Sequence, residues 1–112
     1  MKLITAIIKP SKVESVKNAL AKVGITGITL TDVKGFGRQK GHTEVYRGTE
    51  IEVSFLSKSK LEVAVTDENL DKVIKAIETA AKTNAIGDGK IFVTDLTKVI
   101  RIRTGESGPE AI

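Results

Sequence analysis

Two stretches of this 112-residue chain, 1–34 and 56–96, run through the same order of patterns, strand then helix then strand, and this doubling limits the fold more than any other feature. In the first, Leu3 to Ile8 is apolar and β-prone. Pro10 ends it, and Ser11 with Glu14 forms a Ser-x-x-Glu capping-box pattern that opens a helix. Val13, Val16, Leu20 and Val23 then recur at helical spacing, Gly24 suits a left-handed stop, and Ile28, Leu30 and Val33 mark a second strand. In the other half, strand character returns near Ile51, Val53 and Phe55 and is firm at Leu61, Val63 and Val65. Asp67 can cap a helix with Leu70, Val73, Ile74, Ile77 and Ala81 on one face, and a loop from Thr83 to Lys90 leads to a strand at Ile91 to Val93. Right-handed crossovers in both halves predict an α+β ferredoxin-like split βαβ, an antiparallel sheet with two helices on one face. Val99 to Arg103 reads as a further extended piece, and the polar tail 105–110 as mobile.

That fold leaves one sheet face open. Yet Leu3 to Ile8 is apolar nearly throughout, as in a strand covered on both faces, so the open faces are expected to pack together in an oligomer. The core must come from Ile, Val, Leu and Ala, because aromatic residues are only 4% and Trp is absent. With no cysteine, there is no disulfide scaffold, thiolate metal site or cysteine nucleophile, and the chain suits a reducing compartment. No apolar run is long enough for a signal peptide or membrane span, so a soluble cytoplasmic protein is expected. The +4 net charge is scattered rather than blocked, which argues against nucleic acid. An RNA-binding sheet also needs surface aromatics, and only Phe92 lies in a predicted strand, Phe36 and Phe55 bordering a loop.

Three segments carry candidate chemistry. The first is the long loop, 36–55, with no sustained apolar period over Gly35 to Thr49. A tolerated surface insertion is the plain alternative, but Gly35, Gly37, Gly41 and Gly48 frame Arg38, Gln39, Lys40, Glu44, Tyr46 and Arg47, a binding composition. The second, the loop 83–90, carries Gly87-Asp88-Gly89-Lys90, in which backbone N–H groups and a lysine suit a phosphate. It lacks the spacing of a Walker A motif, and alone it is equally an ordinary turn. In the third, 102–112 with the residues just before it, Arg101 and Arg103 share one side of an extended segment, about 7 Å apart, with Ile100 and Ile102 directed to the core. Its plain reading is a solvated strand edge. Together the three favour an anionic nucleotide. His42 is the single histidine, and Glu44, Glu50 and Glu52 are exposed acid–base candidates, so no catalytic set assembles and the chain is not read as an enzyme.

The runs Gly35 to Glu44, Tyr46 to Glu50, Ile86 to Val93 and Val99 to Glu106, with Ala6 to Pro10 and Val23 to Gly27, closely resemble the PII nitrogen-regulatory signal-transduction proteins, over essentially the whole chain as a single domain, 1–112. The resemblance implies a homotrimer with ATP and ADP competing for clefts between subunits. Gly35, Gly37, Arg38, Gln39, Gly87, Asp88, Gly89 and Lys90 would contact phosphates from one subunit, Arg101 and Arg103 from its neighbour, with Thr29 and Val63 or Ala64 near the adenine or ribose. It implies Mg on Gln39, joined by ATP and by 2-oxoglutarate, the latter held by Lys58 and the backbone of Gln39, Lys40 and Gly41. Each ligand state favours a different loop ensemble, which selects the partner: an ammonium transporter, reached at the membrane only through that transporter, or an enzyme of nitrogen metabolism, met by Tyr46, Arg47 and Glu50. A divergent paralogue that senses adenine nucleotides for a non-nitrogen transporter or enzyme is the alternative. Ile51 stands where many bacterial members carry a uridylylated tyrosine, so that modification is expected to be absent, while Thr49 aligns with a phosphorylated serine of some cyanobacterial members. Asn84 replaces a common glycine, and Ser57 and Ser59 flank Lys58.

Overall fold

Apolar alternation builds a sheet whose centre is β1, Lys2–Ile8, with Ile4, Ala6 and Ile8 buried on one face. The computed structural model describes residues 1–37, 45–46, 49–50 and 54–112, the two dipeptides by backbone alone. After β1 come α1, Val13–Lys22, and β2, Thr29–Gly35. Two short strands follow, β3, Val45–Tyr46, and β4, Thr49–Glu50, paired with each other. Then come β5, Leu56–Val65, α2, Leu70–Ala81, and β6, Lys90–Asp95. The main sheet runs β2-β5-β1-β6, every pair antiparallel, which is the expected split βαβ order.

Register explains the core. Ile4 lies opposite Val63 and Ala6 opposite Leu61, so the buried residues of β1 and β5 share a face. Val16 and Leu20 of α1 and Val73, Ile77 and Ala81 of α2 complete one cluster with them. Each fully buried aliphatic there contributes about 1.5–3 kcal/mol. On the other face Leu3, Thr5 and Ile7 lie beside Ala64, Glu62 and Lys60, and among the described residues both helices pack on the opposite, core face.

The helix ends differ from expectation. Ser11 does not cap α1: the chain enters through a 3-10 turn, Pro10–Lys12, after Lys9, and no side chain caps it. Pro10 pre-sets φ and lacks the N–H a cap would satisfy, so the helical path starts before the Ser-x-x-Glu pattern. Asp67 likewise lies inside a 3-10 turn, Asp67–Asn69, after Thr66, and its carboxylate pairs with the Met1 amine at 2.8 Å. Gly24 does end α1, with φ +87, Ile25 N–H bonding Leu20 O at 3.0 Å and Gly24 N–H bonding Ala21 O at 3.1 Å.

β5 is longer at its start than its apolar residues suggest. Leu56 to Lys60 is strand although polar, because Ser59, 2% exposed, takes the inward position in register with Ile8 and Asp32. Phe55 precedes the strand, and Ile51 and Val53 lie outside the described residues. The segment after Val99 is not extended: Ile100 bridges Ser107 around a tight turn, and a 3-10 turn, Gly108–Ala111, follows. Ile100 and Ile102 are 54% and 99% exposed, so neither enters the core. The tail expected to be mobile is tied back by Gly108 N–H to Val99 O at 2.9 Å.

Candidate functional site

Beyond α2, the chain must reverse to reach the edge strand β6, and the 83–89 turn does this with an aspartate at its centre. The Asp88 carboxylate accepts from the Thr83 N–H at 2.8 Å, from the Asn84 N–H at 3.0 Å and from the Thr83 hydroxyl. Lys9 reaches it from the end of β1 at 3.2 Å. The Thr83 hydroxyl and backbone N–H, then Lys9, hold this carboxyl well below the usual carboxylate range. Asn84 takes φ +63, a conformation that asparagine tolerates well among residues with a side chain.

Gly89 has a stricter requirement: its φ is +98, and a Cβ there would stand 1.7 Å from Ile7 O. The turn therefore lies directly on β1, which puts Lys90 in register with Ile7. Lys58 closes the group from β5, donating to Gly87 O at 2.8 Å. Its stem passes within 3.9 Å of where a Cβ on Gly35 would be. Gly35, Lys58 and Gly87 to Lys90 thus converge at one end of the sheet. Gly35 and Gly37 have neither a positive φ nor a crowded Cβ position, so within this chain the demand for glycine falls on the 83–89 turn rather than on the loop root.

The long loop leaves from the same end. Phe36 and Phe55 meet edge to face across its root, centroids 5.2 Å apart. Higher up, Val45–Tyr46 and Thr49–Glu50 pair as a short ribbon where no regular period was expected. Arg38, Gln39, Lys40, Gly41, His42, Glu44, Arg47, Ile51 and Glu52 lie outside the described residues, as do the side chains of Tyr46, Thr49 and Glu50.

The other sequence-derived positions lie elsewhere. At the far end of the sheet a cleft of about 760 Å³ is walled by Thr29, Val63 and Ala64, Arg101 and the C-terminal Pro109 and Ala111. Arg101 is fixed there by its own turn: its N–H bonds Glu106 O at 2.8 Å, its carbonyl accepts from Gly105 N–H at 2.8 Å, and its guanidinium lies 3.5 Å from the Glu106 carboxylate. Thr104 also bonds that carboxylate, at 2.9 Å. Arg103 sits exposed in the turn, so the two arginines do not share one side of a strand; turn formation between Ile100 and Ser107 overrides the extended pattern.

Among the described residues, one chain therefore does not bring its anion-suited groups together. Thr29 begins β2 and Gly35 ends it, six residues apart, a span of roughly 20 Å at strand rise. Two contributors escaped the sequence reading, Lys9 and Thr83. Thr83 meets Asp88 within the turn itself, five residues on, whereas Lys9 is brought to both only by the pairing of β1 with β6. Among the described residues no three His, Cys, Asp or Glu side chains are grouped to hold a metal, and no helix is long and apolar enough to cross a membrane.

The chain matches the family model for nitrogen regulatory protein P-II over residues 1–106. It is 62% identical to the nitrogen regulatory protein P-II of Rhizobium meliloti, over all of both chains. It is 59% identical to the nitrogen regulatory protein GlnK of Escherichia coli K12, again over all of both. Among solved structures, Arabidopsis thaliana PII bound to citrate superposes with a TM-score of 0.83 at 40% identity, covering 99% of this chain and 91% of that one.

Proposed function

Because this chain belongs to the nitrogen regulatory P-II family, we propose that it works as a homotrimer that takes ATP or ADP in clefts between its copies and reports the ligand through the 36–55 loop. It is a signal-transduction regulator of nitrogen metabolism and not an enzyme. The observation that carries the composite site is the separation of its two halves. Gly35, Lys58 and Gly87 to Lys90 occupy one end of the sheet, and Thr29, Ala64 and Arg101 occupy the other. Head-to-tail packing in a closed ring apposes one copy's first half with its neighbour's second. The uncovered sheet face, Leu3, Thr5 and Ile7, supplies apolar surface for such packing.

In this reading the 83–89 turn and Lys90 cradle phosphates, Arg101 and Arg103 reach them from the neighbour, and Thr29 with Val63 or Ala64 borders the adenine or ribose. The glycine turn fits a polyphosphate, since backbone bent by two positive φ values, at Gly87 and Gly89, leaves N–H groups free of side chains. Gly37, Arg38 and Gln39 complete the phosphate set from the loop root. Mg held by Gln39 would supply charge neutralisation between the nucleotide and 2-oxoglutarate. Lys58, already bonded to the turn, would pair with one 2-oxoglutarate carboxylate while Gln39, Lys40 and Gly41 hold the other end. The citrate carried by the Arabidopsis relative supports carboxylate binding in this fold. Tyr46, Arg47 and Glu50 meet the partner, an ammonium transporter or a cytoplasmic enzyme of nitrogen metabolism. Ile51 offers no hydroxyl for uridylylation, and Thr49 is the remaining candidate for modification.

The test mixes two variants. Lys90→Ala and Arg101→Ala are each expected to lose ADP binding in calorimetric titration. Refolded together in equal amounts, they regain about a quarter of the parent's sites, because a working cleft needs an intact half from each of two neighbours. No recovery, or a monomeric mass in solution, overturns the composite site. Titration of the parent with ATP, Mg and 2-oxoglutarate, separately and together, tests the ligands.

A further inference from the structure

Asp88 sits in the middle of the phosphate-facing turn, yet its carboxylate is fully engaged. One oxygen takes the Thr83 hydroxyl and Lys9, the other the N–H groups of Thr83 and Asn84. Four donors fill the acceptor capacity of a carboxylate, which when ionised accepts only and repels a phosphate. Lys9 is equally committed, since it also donates to the Thr83 hydroxyl at 3.0 Å, closing a triangle of three side chains. Both charged members are mostly covered, at 28% and 23% side-chain exposure for Lys9 and Asp88. The triangle joins the end of β1 to the start of the turn, while Gly89 rests on Ile7 and Lys58 holds Gly87 O.

We propose that Asp88 is a positioning residue and not a phosphate contact: with Lys9 and Thr83 it staples the 83–89 turn to β1 in the shape that presents Gly87, Gly89 and Lys90 to the nucleotide. The proposal rests on the nucleotide reading above. It takes Asp88 out of the groups that touch the ligand and places it, with Lys9, among those that act through the turn. A staple of this kind acts like the outer partners of a ligand set, whose loss costs about 10–100-fold in affinity.

The test is a double-variant cycle on the full chain, read by calorimetric titration with ATP and with ADP and by thermal melting. Asp88→Asn keeps the side-chain shape and surrenders the ionic pair, and Lys9→Met keeps the stem and surrenders the charge. Each is expected to weaken ATP about tenfold. The double variant is expected to be no weaker than either alone, because both break one staple. Losses that multiply in the double variant overturn the proposal, as does unchanged or tighter binding by Asp88→Asn. If Asp88→Asn does not fold, Lys9→Met carries the test, and nucleotide affinity equal to the parent's overturns it. A parent that binds neither ATP nor ADP overturns the nucleotide reading, and this proposal with it; a failed staple leaves the parent's affinity intact.

Discussion

Gly89→Ala gives the most direct test of how the turn is seated. A Cβ at this position would lie 1.7 Å from Ile7 O, where real contacts keep at least 3.0 Å, so turn and strand must part by more than an ångström. The backbone adds its own cost, because an L-residue held at φ +98 is strained by about 1–2 kcal/mol. Overpacking against a backbone oxygen costs a further 1–3 kcal/mol or so. Together these give a loss of about 2–5 kcal/mol and a fall in melting temperature of roughly 10 °C or more for a domain of this size. Calorimetry or circular dichroism on heating reads the shift. Gly27→Ala is the matched control: it has no positive φ and nothing within 4 Å of the new Cβ, so its effect stays within about 0.5 kcal/mol. Nucleotide affinity should fall in Gly89→Ala, as Lys90 moves away from its place opposite Ile7. A Gly89→Ala protein that melts within about 2 °C of the parent refutes the close approach.

Leu61→Ala, which empties a fully buried position of β5, is expected to cost about 2–5 kcal/mol in denaturant unfolding, and a loss below about 1 kcal/mol contradicts the core assignment. The pH profile follows from three perturbed groups. Asp88, held down first by Thr83, and Asp67, held down by the Met1 amine, add stability above their ordinary value of 3.8 and lose it as pH falls through their lowered values. Lys2, raised by its bond to Asp95, adds stability below 10.5 and loses it as pH rises through its raised value. Denaturant midpoints should therefore be flat from about pH 5 to 7 as far as these groups contribute, and an acid-side loss as large in the Asp88→Asn, Asp67→Asn double variant as in the parent contradicts the assignment. At the loop root, a double-variant cycle on Phe36 and Phe55 should give a coupling near 0.5 kcal/mol, the low end for an aromatic pair because both rings are 62% exposed, and zero coupling refutes the pairing.

Elements with a strong single period were legible in the sequence: β1, both helices and the C-terminal half of β5 follow their apolar spacing, and the split βαβ order follows from them. What failed was local chemistry overridden by neighbours. Ser11 and Asp67 look like caps, but Pro10 and the Met1 amine decide where those chains turn and what the carboxylate meets. Arg101 to Arg103 looks extended, but six residues further on Ser107 pairs back with Ile100, and the turn between them exposes Ile102. In each case the winning interaction involves a residue outside the local pattern.

The candidate site obeys a different logic. Every anion-suited segment was visible one at a time, since each is a short run whose composition is unusual for a turn or strand edge: Gly87 to Lys90, the root near Gly35, and Arg101 to Arg103. Their assembly was not visible, because adjacency in the sheet is set by β1 and β5. Antiparallel pairing of β2 with β5 sends Gly35 to the end that holds Lys58 and Thr29 to the end near Ala64. Among the described residues nothing folds those ends together, for a strand does not bend through a half-turn without breaking its ladder. On the composite-site proposal, two half-sites on a rigid sheet would make ligand binding and assembly one equilibrium: an anion that bridged the halves would also tie two copies together. A nucleotide acting there would stabilise the assembly as well as reshape the loop, since Lys58 lies beside the loop root at Gly35 and bonds the 83–89 turn at Gly87 O.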